Sequence, residues 1–102
     1  MTAATAPAEP VKTLVLPSEL THQQASACLG MLLQALRTQV QPVVVADASA
    51  LAVFDSSALA VLLECRREVL ARSGSFSVKG LSPGLRELAT LYGVGGLLPD
   101  AP

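Results

Sequence analysis

The sequence is poor in aromatic and charged residues. It has no Trp, one Tyr and two Phe, and 15% of its residues are charged. A core must therefore be built from the aliphatic side chains among the 51% of residues that are hydrophobic. Seven basic and eight acidic residues give a net charge of −1. That balance excludes the strongly basic composition typical of a nucleic-acid-binding protein.

Signals for catalysis and for metal binding are equally scarce. The one histidine, His22, lies at a predicted helix start, where a solvated side chain is expected, and no Ser/His/Asp set is visible. Cys28 and Cys65 form no CxxC pair, and we expect both to be buried thiols. No phosphate-binding glycine loop is present. The sequence therefore predicts a protein that is not an enzyme and holds no cofactor or metal.

Targeting and membrane segments are also missing from the pattern. No run of about 18 consecutive apolar residues occurs, which excludes a membrane span. The N-terminus lacks the basic and apolar regions of a signal peptide, so a cytoplasmic location is expected. The mean hydropathy of +0.51 is nevertheless high. This value indicates that a partner covers part of the surface.

The chain has the length of one domain. Residues 1–10 are rich in Ala, Pro and Thr and predict a flexible arm, and residues 11–102 form the domain. A short strand is expected over residues 11–16 and is broken by Pro17 and Ser18. Thr21 and Gln24 make a capping box that begins a helix, with Val40 as the last residue of its apolar stripe and Gln41-Pro42 as its end.

The remaining pattern alternates strands with helices. The apolar run Val43–Asp47 predicts a central strand, and residues 48–54 a loop or a short helical turn. A second helix runs from Asp55 to about residue 73, with Gly74 in the left-handed position. Ser75–Lys79 alternates as a strand, and Ser82-Pro83 opens a third helix whose apolar face ends with Tyr92. We therefore predict an α/β fold of βαβαβα order with a single, mostly parallel sheet. Residues 94–102 add at most a few extended residues.

Three small polar residues, Asp55, Ser56 and Ser57, stand together where the second helix begins. Helix capping alone explains an Asp or Ser there, because the side chain accepts a bond from an orphan amide. A surface hydroxyl at the positive end of a helix is the alternative interpretation. Such a hydroxyl could carry a phosphate or dock against a partner.

Residues 44–49, followed by residues 53–59, resemble the signature of STAS domains, which sulfate transporters and anti-sigma factor antagonists share. In that signature a strand ends in Asp, and a hydrophobic-Asp-Ser/Thr-small-Gly-Leu turn then opens a helix. Asp47 matches the first acid, and Ala58 stands where glycine is usual. The resemblance covers residues 14–99 and implies a STAS fold with a shortened N-terminal strand region.

Within that family, residues 14–20 and 88–99 are most similar to MlaB-type subunits of ABC phospholipid transporters. The resemblance implies binding to the transporter's ATPase subunit, and through it to the permease at the inner membrane, in support of outer-membrane lipid asymmetry. The implied partner-binding residues are Phe54, Asp55, Ser56, Ser57 and Ala58. The alternative is an anti-sigma factor antagonist regulated by phosphorylation of Ser56. Without a partner, a homodimer through the exposed first strand also stays open.

Overall fold

The computed structural model describes residues 11–38 and 40–102. The arm predicted for residues 1–10 lies outside the described residues. Every predicted strand and helix of the βαβαβα order is present, and the chain adds two very short strands and a terminal 3₁₀ turn. The elements are β1 (Val11–Val15), β2 (Glu19–Leu20), α1 (His22–Thr38), β3 (Val43–Asp47), β4 (Val53–Phe54), α2 (Ser56–Ala71), β5 (Ser75–Lys79), α3 (Pro83–Leu91) and a 3₁₀ turn (Gly95–Leu97).

The main sheet is parallel, with strand order β1-β3-β5. Val11 of β1 aligns with Val43 of β3, which aligns with Ser75 of β5. The connection from β1 to β3 contains α1, the connection from β3 to β5 contains α2, and both move across the sheet in the same direction. Because such connections are right-handed, α1 and α2 lie on the same face of the sheet. Side chains on that face are buried, except for the half-buried Lys12, whereas those on the other face are half-buried or exposed. We call the second face the open face of the sheet.

The prediction of a single sheet is wrong in one respect, because β2 and β4 pair in parallel as a second, two-stranded sheet. The Ser18 carbonyl accepts the N–H groups of Ala52 at 2.8 Å and Val53 at 3.0 Å, which joins the two loops. The sequence predicts a break at Pro17 and Ser18, and a loop or a short helical turn over residues 48–54. Two-residue strands carry no periodicity, so the pattern could not reveal them.

The core lies between the main sheet and the helices and is aliphatic, as the composition requires. Among the described residues no polar or charged side chain is buried. β1 contributes Leu14, β3 contributes Val44 and Ala46, and β5 contributes Phe76 and Val78. The buried side chains of α1, α2 and α3 are Cys28, Leu32, Leu36, Ala58, Leu59, Val61, Leu62, Cys65, Val69, Leu85 and Ala89.

Two helix ends differ from the prediction. α1 ends at Thr38, and Val40 is 64% exposed rather than part of the apolar stripe. After α2 the left-handed residue is Ser73, with φ of +64°, and not Gly74. Gly74 is required for another reason: a Cβ there would lie 2.9 Å from Cγ1 of Val69 and 3.0 Å from the Pro42 carbonyl oxygen.

The C-terminal segment is more ordered than the sequence indicated. The predicted cap of α3 is present, because Ser82 accepts the Leu85 N–H, but Tyr92 is 59% exposed rather than on the apolar face. After the 3₁₀ turn, Leu98 is fully buried and Asp100 forms a parallel bridge with Val78. This bridge covers the outer edge of β5. Within the described part of the chain, none of the helices has the length and hydropathy needed to span a membrane.

Candidate partner-binding site

Asp55 caps α2 and also contacts the start of α1. Its Oδ1 accepts the Ser57 N–H at 2.8 Å, and its Oδ2 accepts the His22 N–H at 3.0 Å. The His22 Nδ1 lies 3.3 Å from the same Oδ2. The backbone N–H groups of His22 and Ser57 lower the pKa of Asp55 to about 2. One carboxylate therefore holds two helix N-termini together, and its oxygens are engaged within the chain.

The three residues after Asp55 point in different directions. Ser56 is exposed in the first turn of α2, Ser57 is half-buried, and Ala58 is completely buried. Ala58 has a helical backbone without a positive φ, so a residue with a Cβ fits the position where the STAS signature has glycine. Of the two polar residues that follow the cap, Ser56 is the more exposed.

Two shallow apolar grooves flank the exposed side of the α2 start, and Ala60 lines both of them. The groove towards α3 has a volume of about 270 Å³ and the groove towards α1 about 330 Å³. We refer to Ser56, Ala60 and these two grooves as the Ser56 face. The first groove is lined by Ser56, Leu59, Ala60, Leu63, Tyr92 and Val94, and the second by His22, Ala25, Ser26, Leu29, Ser57, Ala60, Val61 and Glu64.

Phe54 lies beside the Ser56 face and not within its grooves. The Phe54 ring packs against the hydrophobic core, and its Cζ lies 3.5 Å from the position that a Cβ on Gly84 would occupy. Val53, the other residue of β4, is 51% exposed. The structure therefore places the five predicted site residues in one segment but gives them separate environments.

Asp47 has a local role at the end of β3. The Ser49 hydroxyl and N–H lower the pKa of the Asp47 carboxyl, and the N–H bond measures 2.9 Å. The Lys79 Nζ lies 3.8 Å from the second carboxylate oxygen. These contacts fix the turn after the central strand. Asp47 does not line either groove of the Ser56 face.

The cysteines lie in the core rather than at this site. Cys28 and Cys65 are both buried, and burial raises the pKa of each thiol, that of Cys65 to about 12. Within the described ranges, no group of three or more His, Cys, Asp or Glu residues could hold a metal ion. The arrangement at Ser56 offers a hydroxyl, small side chains and apolar grooves, which suit contact with another protein.

Sequence reasoning missed two features of this site. The bond from the His22 N–H to Asp55 joins residues 33 apart, and no local pattern indicates it. Tyr92 lines the groove beside Ser56 instead of packing in the core. The one available signal for Tyr92 was its position next to Gly93, beyond the last full turn of α3.

Comparisons with known proteins agree on one family. A family model described as "Mlab, STAS domain" matches residues 3–99. No protein with a curated function matches the chain. Among solved structures, the anti-sigma factor antagonist SpoIIAA in its unphosphorylated form is 21% identical, with a TM-score of 0.73 over 96% of this chain and 85% of that chain.

Two further solved structures have the same fold. The phosphorylated form of SpoIIAA, a Bacillus cell fate determinant, is 21% identical, with a TM-score of 0.67 over 96% of this chain and 88% of that chain. A sulfate transporter family protein from Wolinella succinogenes is 17% identical, with a TM-score of 0.70 over 90% of this chain and 75% of that chain. At these identities the likeness concerns the fold.

Proposed function

Because the chain belongs to the STAS domain family, through the branch described as "Mlab, STAS domain", we propose that it is an accessory subunit of an ABC phospholipid transporter. STAS domains are typically regulatory or binding domains rather than enzymes. In this proposal the chain is non-catalytic and binds the transporter's ATPase in the cytoplasm. Through the ATPase and permease it is held at the inner membrane and supports outer-membrane lipid asymmetry.

The Ser56 face is the observation that carries the proposal. Its centre consists of Ser56 and Ala60, whose short side chains lose little conformational freedom when a partner covers them. Leu63 and Tyr92 stand on one side and Leu29 on the other, so apolar walls flank that centre. The buried core of a protein–protein interface is usually more apolar than the rest of the surface.

Substitution of Ser56 tests this assignment with purified ATPase. We expect Ser56→Asp and Ser56→Trp to weaken ATPase binding by tenfold or more, about 1.4 kcal/mol, because each places charge or bulk at the centre of the contact. Ser56→Asp should fold normally, since the dipole favours an acid in the first turn of a helix. Ser75→Asp, at an exposed position on β5, is the matched control. Equal affinity of all three variants and the wild type would remove the Ser56 face from the proposal.

An anti-sigma factor antagonist is the second candidate, and the exposed Ser56 hydroxyl favours it. SpoIIAA, which has this fold, has been solved in both phosphorylated and unphosphorylated forms. A phosphate on Ser56 would add about −1.5 to −2 charges beside the engaged Asp55 carboxylate. Such a change would switch an interface at the same surface.

Affinity purification of the tagged chain from its host, in mild detergent, separates the two candidates. Recovery of an ABC ATPase together with its permease supports the transporter subunit. Recovery of a serine kinase that binds a sigma factor, with phosphate on Ser56 by mass spectrometry, supports the antagonist instead.

A further inference from the structure

The two edge strands of the main sheet, β1 and β5, differ in how the described residues cover their outer sides. The outer edge of β5 is covered, because the Val78 N–H donates to the Pro99 carbonyl and the Ala101 N–H donates to the Val78 carbonyl, both at 2.8 Å. The outer edge of β1 carries exposed apolar side chains: Val11 is 51% and Val15 is 66% exposed. Among the described strands, only β3 pairs with β1. An exposed apolar edge strand is a template for pairing with another chain.

The direction of the backbone groups of β1 can be read from one bond. The Leu16 N–H donates to the Asp47 carbonyl at 2.9 Å, so the even-numbered residues of this segment face β3. Successive residues of a strand direct their N–H and C=O groups to opposite sides. Val11, Thr13 and Val15 therefore direct these groups to the outer edge. The same three residues are exposed on the open face of the sheet.

We propose that β1 pairs antiparallel with β1 of a second copy of this chain, in the register that places Thr13 opposite Thr13 of that copy. Val11 then lies opposite Val15 of the second copy, and Val15 opposite its Val11. All outward N–H and C=O groups of the three residues are paired, which gives six hydrogen bonds across the two-fold axis. The four exposed valines bury one another as two cross-strand pairs.

The neighbouring register is less favourable. Pairing centred on Leu14 would put Val11 opposite Pro17 of the second copy, and proline has no N–H to donate. In the Thr13 register Lys12 faces Leu14 of the second copy, so no like charges lie directly opposite one another. The strand is thus self-complementary in both hydrogen bonds and charge.

The size of the contact predicts a weak dimer. A stable interface covers roughly 800 Å² on each partner, which is a large share of this chain's whole surface of 5744 Å². The paired segment has only five residues and is about 17 Å long, so the two strands alone bury less than that area. Val15 also borders an apolar groove of about 490 Å³ with the exposed Met31 of α1, which adds apolar area beside the strands. The Ser56 face lies on the helical side, so dimerisation leaves it accessible and does not depend on the proposed function.

Sedimentation equilibrium of the full chain between about 10 μM and 1 mM tests the dimer. We expect the wild-type mass to rise from 10.5 kDa towards twice that value. Val15→Lys should stay at the monomer mass throughout, because it removes both cross-strand valine pairs and puts a lysine on the exposed edge strand, which opposes edge-to-edge pairing. Val40→Lys, at a valine of nearly equal exposure outside the sheet, should behave as the wild type. A wild type that stays monomeric, or equal masses for Val15→Lys and wild type, would overturn the proposal.

Disulfide trapping tests the register. In the proposed pair the two Thr13 Cα atoms lie about 5.5 Å apart, within the range for a disulfide. When diamide is added as the oxidant, Thr13→Cys should therefore form a disulfide between the two copies. The two thiols give up two protons and two electrons, which reduce diamide to its hydrazine. Val11→Cys puts the Cα atoms of the two cysteines about 14 Å apart, so this variant should not cross-link. Equal yields from the two variants would refute this register.

Discussion

Arg86 of α3 holds the C-terminal segment, and its replacement tests how that segment is stabilised. Its Nη1 donates to the Leu98 carbonyl at 2.8 Å and more weakly to the Gly95 carbonyl at 3.4 Å. Its Nη2 lies 2.7 Å from Asp100 Oδ1. Arg86→Met keeps the apolar stem and removes all three contacts, so the C-terminal turn loses this charged anchor.

The expected cost follows from the exposure of each partner. Asp100 is 83% exposed, so its ion pair contributes at most about 1 kcal/mol. The bond from a charged group to the Leu98 carbonyl, beside a fully buried side chain, contributes about 1.5–3 kcal/mol. We expect Arg86→Met to lower the free energy of unfolding by about 2–3 kcal/mol. For a chain of this length, the Tm then falls by on the order of 10 °C.

Urea and thermal denaturation, followed by circular dichroism, measure these differences. Asp100→Asn isolates the ion pair and should cost less than about 1 kcal/mol. Arg67→Met removes a 3.9 Å exposed pair on α2 and should change stability by about 0.5 kcal/mol or less. If Asp100→Asn costs as much as Arg86→Met, the exposed ion pair holds the segment and the reasoning from the carbonyl bonds is refuted.

Three further predictions concern packing, pH and thiol reactivity. Gly74→Ala should lower the free energy of unfolding by about 1–3 kcal/mol in urea denaturation, because its Cβ would overlap Val69; an unchanged midpoint would contradict the close approach. Ionised Asp55 stabilises the fold above its unfolded pKa of 3.8, and this contribution disappears as the pH falls through about 2. The stability difference between wild type and Asp55→Asn should therefore shrink from pH 5 to pH 2, and a constant difference would contradict the capping bonds. The raised pKa of Cys28 and of Cys65 predicts slow reaction with Ellman's reagent at pH 8 in the folded protein and fast reaction in urea, so equal rates would exclude burial.

The six main elements were predictable because each has both a periodic pattern and a boundary residue. At the start of α1, Gln24 Oε1 accepts the Thr21 N–H at 2.8 Å, as the predicted capping box requires, whereas Thr21 Oγ1 accepts the N–H of Gln23 at 3.3 Å rather than that of Gln24. Ser82 caps α3 as its position before proline indicated. The residue type alone misplaced the left-handed position after α2: Ser73 adopts it, whereas Gly74 permits a close approach to Val69 and Pro42.

The candidate site was predictable only in part. Residue type indicated that an Asp or a Ser caps the second helix, and in the structure Asp55 is that cap. The exposed hydroxyl of the alternative interpretation belongs to Ser56. The grooves beside Ser56 could not be predicted, because they depend on how α1 and α3 pack beside α2. Tyr92 continues the helical period of α3, yet it comes after the last helical residue and turns outward. The binding role of these residues stays a prediction.

The double role of Asp55 has a consequence for local unfolding. A single carboxylate accepts the amides of His22 and Ser57, so neither helix start can fray without affecting the other. The two segments therefore form one cooperative opening unit, although 33 residues separate Asp55 from His22 along the chain. Hydrogen exchange at the His22 and Ser57 amides should report the same opening free energy. A partner that covers the start of α2 would therefore slow exchange at the His22 amide as well as at the Ser57 amide.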